Sequence, residues 1–374
     1  MRLRNVIVAV LLCGIAGLVF LAGRKSPRPN EAAGNLATHA SAPDGPGSVP
    51  LASSFRRVPD SDTADFSSPG TATNGPMTNL FQRMLAGDVD LQLTPGQTAE
   101  YLRQYGTNVE TLLATQKKDY LKLAAELFPN DPRVQYAVLT RELFPEARRE
   151  WLDRFKASAP DNAIADYLSA RDYLRDGDRE KGLADLASAT VKPHFNDYTR
   201  EQVQNMEDAQ LSAGRSLLEA KVAAGSGLLL PQLAMFKAMS QDVQKIQKEY
   251  IAAGDAASAE ALANMLQPLA RQLATGEGSR CMINQLVGVA IERIALGSLP
   301  ADSQPAFLNG TVQQRIDELT AFRQSVRKLT EGFNDWTARA SETEAISYFD
   351  RMKIQSEYQT MLWLQNKERL RGTP

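Results

Sequence analysis

The chain begins with a stretch of eighteen residues, from Val6 to Gly23, that contains no charged side chain. At about 1.5 Å per residue, a helix of this length rises roughly 27 Å, close to the thickness of a bilayer's hydrocarbon core. Only a helix allows a single stretch of chain to satisfy its own backbone hydrogen bonds in lipid. We therefore predict a membrane anchor over residues 1–25, with the stretch from Val6 to Gly23 as the part that contacts the membrane.

Cleavage of this segment is the alternative to a permanent anchor. The apolar core of a signal peptide is usually about 7–15 residues long and ends in a small-x-small site. Leu21-Ala22-Gly23 fits such a site poorly, and the bulky residues before Cys13 do not form a lipobox. Basic residues flank both ends of the stretch, so the positive-inside rule gives little indication of its orientation in the membrane. We expect a single-pass bacterial inner-membrane protein with an extracytoplasmic body; secretion to the periplasm after cleavage is the second reading.

The composition changes abruptly after the anchor. Residues 26–78 hold eight of the nineteen prolines, together with many Ser, Gly and Ala residues and almost no apolar clusters. Such a segment cannot bury enough apolar surface to offset its chain entropy. We therefore predict a disordered linker over 26–78 that holds the folded body away from the membrane. His39 lies in this linker, where we expect it to be solvated.

The remaining residues have the composition of an all-α protein. Ala, Leu, Gln, Glu and Arg are abundant, and no run shows the strict alternation of an edge strand. We predict a helical-hairpin region over 79–225 and a C-terminal helical bundle over 226–374. The formal net charge of −2 provides no field that would attract nucleic acid. With Cys13 in the anchor and Cys281 in the body, no disulfide framework is expected.

Several helix boundaries are marked by local signals. Thr94-Pro95-Gly96-Gln97 combines an N-cap, a proline at the first helical position and a capping-box glutamine. We predict a helix from Leu211 to Ala223 with a flexible break at Ala224-Gly225-Ser226-Gly227, and a buried helix from Met282 to Leu296. A second capping box, Ser341-Glu342-Thr343-Glu344, opens a helix that we expect to reach Arg371.

An internal repeat of thirty-one residues occupies about 129–193. Ala170 and Tyr173 precede a Gly177-Asp178 turn, and small, large and small residues follow at Gly182, Leu186 and Ala189. This pattern resembles the tetratricopeptide repeat, although Asp166 stands where that family has a tryptophan. A weaker echo over about 245–275 has Tyr250 and Gly254-Asp255 at the same spacing. The resemblance implies stacked antiparallel helical hairpins, as in a solenoid, and a protein or peptide as partner.

Most catalytic chemistries lack candidates. The two histidines, His39 and His194, do not form a pair, which excludes histidine-based zinc sites and Ser-His-Asp triads. No glycine-rich phosphate loop follows a predicted strand. We assign no catalytic, cofactor-binding or metal-binding residue, and expect His194 to be a loop residue beside a proline or a ligand-facing residue at a groove. Glu292-Arg293 is expected to be an ion pair at the edge of a helix face.

We therefore expect a non-catalytic interaction or scaffold protein. A structural envelope spacer, or an enzyme that cleaves wall glycan through carboxylates such as Glu292, are the alternatives. The stripe of Met235, Met239 and Val243 is expected to be core. A groove in the repeat region would use its first-helix positions, none of which we assign as a site: Arg133, Tyr136, Asp166, Tyr167, Ala170 and Tyr173. The sequence does not reveal the oligomeric state.

Overall fold

The computed structural model describes residues 75–86, 88, 91–278 and 280–371. These residues are all-α and contain no strand, as the sequence predicts; their one isolated β-bridge joins Asn162 and His194. The predicted anchor over 1–25 and almost all of the predicted linker over 26–78 lie outside the described residues.

The first half of the body consists of short helices. In chain order they are α1 (Pro76–Ala86), α2 (Pro95–Tyr105), α3 (Val109–Ala114), α4 (Lys118–Leu127), α5 (Pro132–Thr140), α6 (Arg148–Ser158, after a 3-10 turn at Pro145–Ala147), α7 (Ala163–Arg175) and α8 (Arg179–Thr190). The second half contains the longer helices. These are α9 (Thr199–Ser212), α10 (Leu217–Ser226), α11 (Pro231–Ala252), α12 (Ala256–Ala274), α13 (Met282–Leu296), α14 (Val312–Thr337), α15 (Glu342–Ile354) and α16 (Glu357–Arg371).

The predicted capping boxes are confirmed. The Thr94 hydroxyl accepts a hydrogen bond from the Gln97 backbone N at 3.2 Å, and the Gln97 side chain accepts one from the Thr94 backbone N at 3.0 Å. Ser341 and Glu344 cap α15 in the same way. These contacts satisfy backbone donors that a helix start leaves without partners. The predicted bounds of α13, from Met282 to Leu296, are also confirmed.

Three predicted boundaries are wrong. The helix expected from Leu211 to Ala223 is divided before Ser216, where Gly214 has a φ of +81° and Ser216 forms a capping box that starts α10; the break expected at Ala224-Gly225-Ser226-Gly227 begins only at Gly227, after α10 ends. The helix expected to run to Arg371 divides, because Gln355 is extended and ends α15. Helix α1 begins at Pro76, inside the predicted linker, since proline suits the first position of a helix.

Two hairpins close through the same turn. At Gly177-Asp178 and at Gly254-Asp255 the glycine has a φ of +88° or +80°, and the aspartate backbone N donates to the carbonyl of Tyr173 or Tyr250 at 2.9 Å. Each aspartate side chain then caps the next helix. The two hairpins, α7–α8 and α11–α12, lie side by side, with α7 against α11 and α8 against α12. The tyrosine-to-Gly-Asp spacing that these two segments share in the sequence therefore corresponds to a shared turn geometry.

Most apolar side chains of the body belong to one cluster, which we call the main core. It extends from Val109 in α3 to Ala295 in α13. At its centre the rings of Tyr167, Phe195 and Phe236 meet with centroids about 6.0–6.2 Å apart. Such aromatic contacts add to the free energy gained by burying the rings themselves. This core holds the consecutive hairpins together.

A second core joins the two ends of the described chain. Its buried apolar residues come from α1, α10, α13, α14, α15 and α16 and include Met77, Val222, Val326, Trp336 and Met361. Residues more than 250 positions apart meet here; for example, the Gly75 backbone N donates to the Ala338 carbonyl at 2.8 Å. We call this cluster the second core.

One stretch of the described residues, Leu217–Ala252, is long and apolar enough to cross a membrane. It consists of α10 and α11, which are separated by a break at residues 227–230. Its side chains include Val222, Phe236 and Met239, all buried in the two cores. Because a core helix passes the same test of length and composition, this stretch carries no argument for membrane insertion.

Candidate functional site

The inner face of the repeat region is covered by the chain itself. Tyr136 and Tyr167 are buried, and the loop at residues 195–198 packs against them. The Tyr198 ring lies 5.7 Å from that of Tyr136, and the Phe195 ring lies 6.2 Å from that of Tyr167. Ala170 is fully buried. These positions therefore do not converge on an open groove.

The polar residues considered for that groove also have partners within the protein. Asp166 is buried and lies 3.2 Å from the Lys156 ammonium, and it also pairs with Lys192. The Arg149 guanidinium lies over the ring of Tyr173, with its Cζ 4.4 Å from the ring centroid. Arg133 bridges Glu110 and Asp131 at 2.5 and 2.7 Å. All three residues contribute to the packing and charge balance of the hairpins.

The expected Glu292-Arg293 ion pair is wrong. The Glu292 carboxylate instead accepts two hydrogen bonds from Arg315 of α14, at 2.6 and 3.0 Å, and Arg293 donates to Thr320 at 2.8 Å. Successive residues of a helix point in different directions, so neighbours in sequence rarely pair. The hydrogen bonds that Arg315 donates to Glu292 raise the pKa of the Arg315 guanidinium. Glu292 thus fastens α13 to α14.

The prediction for the methionine stripe is confirmed. Met235, Met239 and Val243 are buried in the main core and leave no adaptable surface exposed. This face of α11 therefore packs in the main core.

An apolar cleft opens in the second core and encloses about 140 Å³. Its walls come from α1, α9, α10, α14, α15 and α16. The apolar side chains that line it include Met77, Phe81, Val203, Phe333, Phe349, Met352 and Met361. Gly225 of α10 also lines the cleft, and a Cβ atom added there would meet only the Phe349 ring, at 3.8 Å. A methyl group at position 225 would therefore make an ordinary van der Waals contact with that ring.

Buried charges lie along one wall of the cleft. The Lys221 ammonium is 4% exposed and donates to Glu207 at 2.8 Å and to Asp350, while Lys353 reaches the other Glu207 oxygen at 2.5 Å. Burial opposes the charge on Lys221, but the hydrogen bonds to Asp350 and Glu207 outweigh it and raise its pKa. The group is a charged network that ties α9, α10 and α15 together.

Glu357 closes another side of the cleft. Its carboxylate accepts a hydrogen bond from the Met282 backbone N at 2.7 Å, and its backbone N donates to the Arg280 carbonyl at 2.9 Å. It thereby caps α13, whose N-cap residue Cys281 provides no side-chain cap. Burial raises the pKa of Glu357, although hydrogen bonds from Met282 and Tyr348 oppose the shift. Glu357 therefore links the start of α16 to the start of α13.

A second, polar cavity of about 440 Å³ adjoins the cleft. His194 lines it, so this loop residue does face a cavity, and its Nδ1 lies 3.6 Å from a Glu277 oxygen. The other Glu277 oxygen accepts from the Phe195 backbone N at 2.8 Å. Asp197 is also in the lining; it accepts from the Thr199 backbone N at 3.1 Å, and burial raises its pKa. Glu201 completes the acidic side.

Two arginines, Arg200 and Arg280, line both cavities. Among the described residues, neither guanidinium has a carboxylate within 4.0 Å, whereas most other arginines do have one. Arg200 is exposed and Arg280 is half-buried. On the cleft side the two further cations, Lys221 and Lys353, are paired with Glu207 and Asp350, whereas the cavity side carries Asp161 and Glu201. The two arginines without a carboxylate partner thus lie at the junction where the apolar cleft meets the polar cavity.

The site contains no cluster suited to a metal. In the ranges that the structure describes, no three His, Cys, Asp or Glu side chains converge on one point. Arg200 and Arg280 were not predicted as site residues from the sequence, because they are eighty positions apart and lie in no motif. The only local signal was His194, five residues before the start of α9.

A scan against protein-family models gave no match to this chain, and neither did searches of curated proteins and of solved structures.

Proposed function

We propose that this protein is a membrane-tethered, non-catalytic binding protein, and that its partner inserts an apolar group into the cleft of the second core. The charge-free stretch from Val6 to Gly23 would tether it to the bacterial inner membrane, with the body extracytoplasmic. The partner is a protein or peptide, because the cleft admits only a small apolar group and a polar cavity adjoins it.

The observation that carries this proposal is an open apolar space beside unpaired cations. Protein cores are normally packed without voids of this size, since an unfilled cavity forfeits packing energy. A cavity of about 150 Å³ with apolar walls holds a benzene ring, and the cleft encloses about 140 Å³. Binding sites characteristically combine such walls with a few polar groups. A mere spacer would gain nothing from this arrangement.

A tetratricopeptide-like scaffold is part of the proposal. It is supported by the matching turns at Gly177-Asp178 and Gly254-Asp255 and by the side-by-side hairpins that follow from them. The helices α9 and α10, which form one wall of the cleft, pack against each other, and α9 also packs against α3. The inner face of the hairpins is occupied by the chain.

Site-specific photocrosslinking tests the proposal. A benzophenone amino acid replaces Phe349 in the cleft of the full chain, or Val191, which is 81% exposed at the end of α8. In native membranes we expect light-dependent adducts of defined mass from position 349 and none of the same mass from position 191.

A matched pair of glycine variants supplies the control. In the crosslinking chain, Gly225→Met should fill the cleft and remove the adduct, whereas Gly332→Met adds the same side chain to α14 where nothing lies within 4 Å. Adducts that survive Gly225→Met, or no adduct at position 349, would refute the binding proposal.

Glycan cleavage is the second candidate function, and one observation favours it. Asp197 has a raised pKa, as a general acid requires, and the charge of Glu201 contributes to the shift, after burial. However, both Asp197 oxygens already hold donors, namely the Thr199 backbone N and the Gln232 side chain. We therefore expect no glycan release by the full chain. Turnover that disappears in Asp197→Asn would establish the enzyme instead.

A further inference from the structure

We propose that the two cavities together bind the C-terminal end of a peptide chain whose last residue is phenylalanine or leucine. The terminal side chain enters the apolar cleft, the terminal carboxylate lies between Arg200 and Arg280, and the preceding residues occupy the polar cavity. This inference rests on the proposed function and specifies its partner.

The carboxylate is assigned to the junction because the junction is where unpaired positive charge lies. Arginine forks match carboxylates with paired hydrogen bonds, and Arg200 and Arg280 have no carboxylate within 4.0 Å among the described residues. Arg200 is also in the first turn of α9, whose N-terminal end favours negative charge. Both cations and the helix end therefore favour an anion at this point.

The size of the cleft selects the terminal side chain. About 140 Å³ is enough for one phenyl ring or a branched aliphatic side chain. A fatty acyl chain has many more carbons than a phenyl ring and does not fit. The chemistry of an apolar group next to a carboxylate is that of the last residue of a peptide, and a single-chain lipid would share only the charge.

The polar cavity selects the residues before the last one. Its lining includes Asp161 and Glu201, neither of which has a cationic partner within 4.0 Å in the described part of the chain. Its volume of about 440 Å³ exceeds that of the cleft and admits backbone and polar side chains. A lysine or arginine next to the terminal residue complements these carboxylates. The preferred ligand thus ends in a basic residue followed by an apolar one.

Fluorescence anisotropy on the full chain in lipid nanodiscs tests this assignment; nanodiscs avoid detergent, which would compete for the cleft. The probe is a labelled Gly-Ser-Lys-Lys-Phe peptide with a free carboxylate, compared with its C-terminal amide and with the same peptide ending in Ser. We expect the amide and the Ser peptide each to bind at least about tenfold more weakly, because a charge-assisted contact or a buried ring is lost.

Variants with matched controls test whether the peptide binds at the two cavities. Arg200→Gln and Arg280→Gln should each weaken binding of the free acid about tenfold or more and leave the affinity for the amide nearly unchanged. Arg271→Gln, at an exposed arginine outside both cavities, should have no effect on either peptide. Gly225→Met should abolish binding and Gly332→Met should not.

Three results would overturn the assignment. Equal affinity for the acid and the amide would show that the site does not recognise the terminal carboxylate. If the free acid does not bind at millimolar concentration, the ligand is not a peptide of this kind. Decanoate that binds more tightly than the peptide, and loses affinity in Arg280→Gln, would make the ligand a lipid. Under all three results the crosslink from position 349 still decides separately whether the cleft binds any partner.

Discussion

The main core and the second core of this protein are built in different ways. The main core brings together helices that follow one another closely, α3 to α8 and α11 to α13, and the inner face of its hairpins is filled by the loop at residues 195–198. The second core brings α1 against α10 and α13 to α16, and it retains an open cleft. In this protein, open space occurs where the two ends of the described chain meet.

Two helical glycines show the same contrast at atomic scale. A Cβ atom at Gly288 in α13 would lie 2.6 Å from the Ala270 carbonyl oxygen of α12, so these backbones touch only because the side chain is absent. At Gly225, which lines the cleft, a Cβ atom would lie 3.8 Å from the Phe349 ring, an ordinary van der Waals distance. A side chain is thus excluded at Gly288 and accommodated at Gly225.

The largest expected effect compares two phenylalanines. Phe236→Ala in the main core should lower the free energy of unfolding by about 3–5 kcal/mol, because a fully buried ring leaves a cavity. Phe349→Ala, at a half-buried ring that already borders open space, should cost about 1–2 kcal/mol. Urea denaturation of both full-length variants measures the difference; equal losses would mean that the two cores are equally well packed.

The next effect concerns the close contact of α12 and α13. Gly288→Ala should destabilise the protein by about 1–3 kcal/mol, since the added methyl group collides with backbone atoms of α12 that cannot move aside cheaply. The same denaturation experiment detects this loss. An unchanged midpoint would show that the hairpins tolerate separation and are packed more loosely than the structure indicates.

The pH dependence of stability distinguishes a carboxyl group of the second core. Burial raises the pKa of Glu357 above its ordinary value of 4.5, so the folded protein holds this proton at pH values where the unfolded chain has released it. The stability that Glu357 contributes is therefore present at low pH and falls as the pH rises above 4.5, by at most about 1.4 kcal/mol per pH unit.

Glu357→Gln removes that dependence. Relative to the wild type, the variant should gain stability as the pH rises from 4.5 towards 7, as measured by unfolding midpoints at a series of pH values. Other titrating groups, including Glu110 and Asp131, whose pKa values are lowered, cancel in this difference. A difference that stays constant with pH would show that Glu357 has no raised pKa.

The smallest expected effect is a gain. Gly225→Ala should raise the free energy of unfolding by about 0.5–1 kcal/mol, since alanine favours the helix and its methyl group meets no backbone atom. Thermal or urea unfolding, with Gly332→Ala as the exposed reference, measures it. A loss of stability at position 225 alone would show that the cleft is narrower than described.

Prediction from the sequence succeeded where the signals are local. The caps at Thr94 and Ser341 and the bounds of α13 depend on residues within a few positions of one another, and all are confirmed. It failed where two local signals compete. Gly225 indicated a break, but a glycine near a helix end costs little and α10 continues to Ser226; the left-handed turn at Gly214 and the cap at Ser216 instead interrupt the helix expected from Leu211 to Ala223.

The candidate site was beyond such reasoning. Nothing in the neighbourhood of Arg200 or Arg280 shows that the two line the same cavities, and Glu292 gives no sign that its partner is Arg315, twenty-three positions away. By itself the sequence determined the all-α composition, most helix limits and the turn shared by two hairpins, because these follow from short-range hydrogen bonding and periodicity. Only the tertiary structure decided which face would be filled and where space would remain, because both depend on contacts between distant helices.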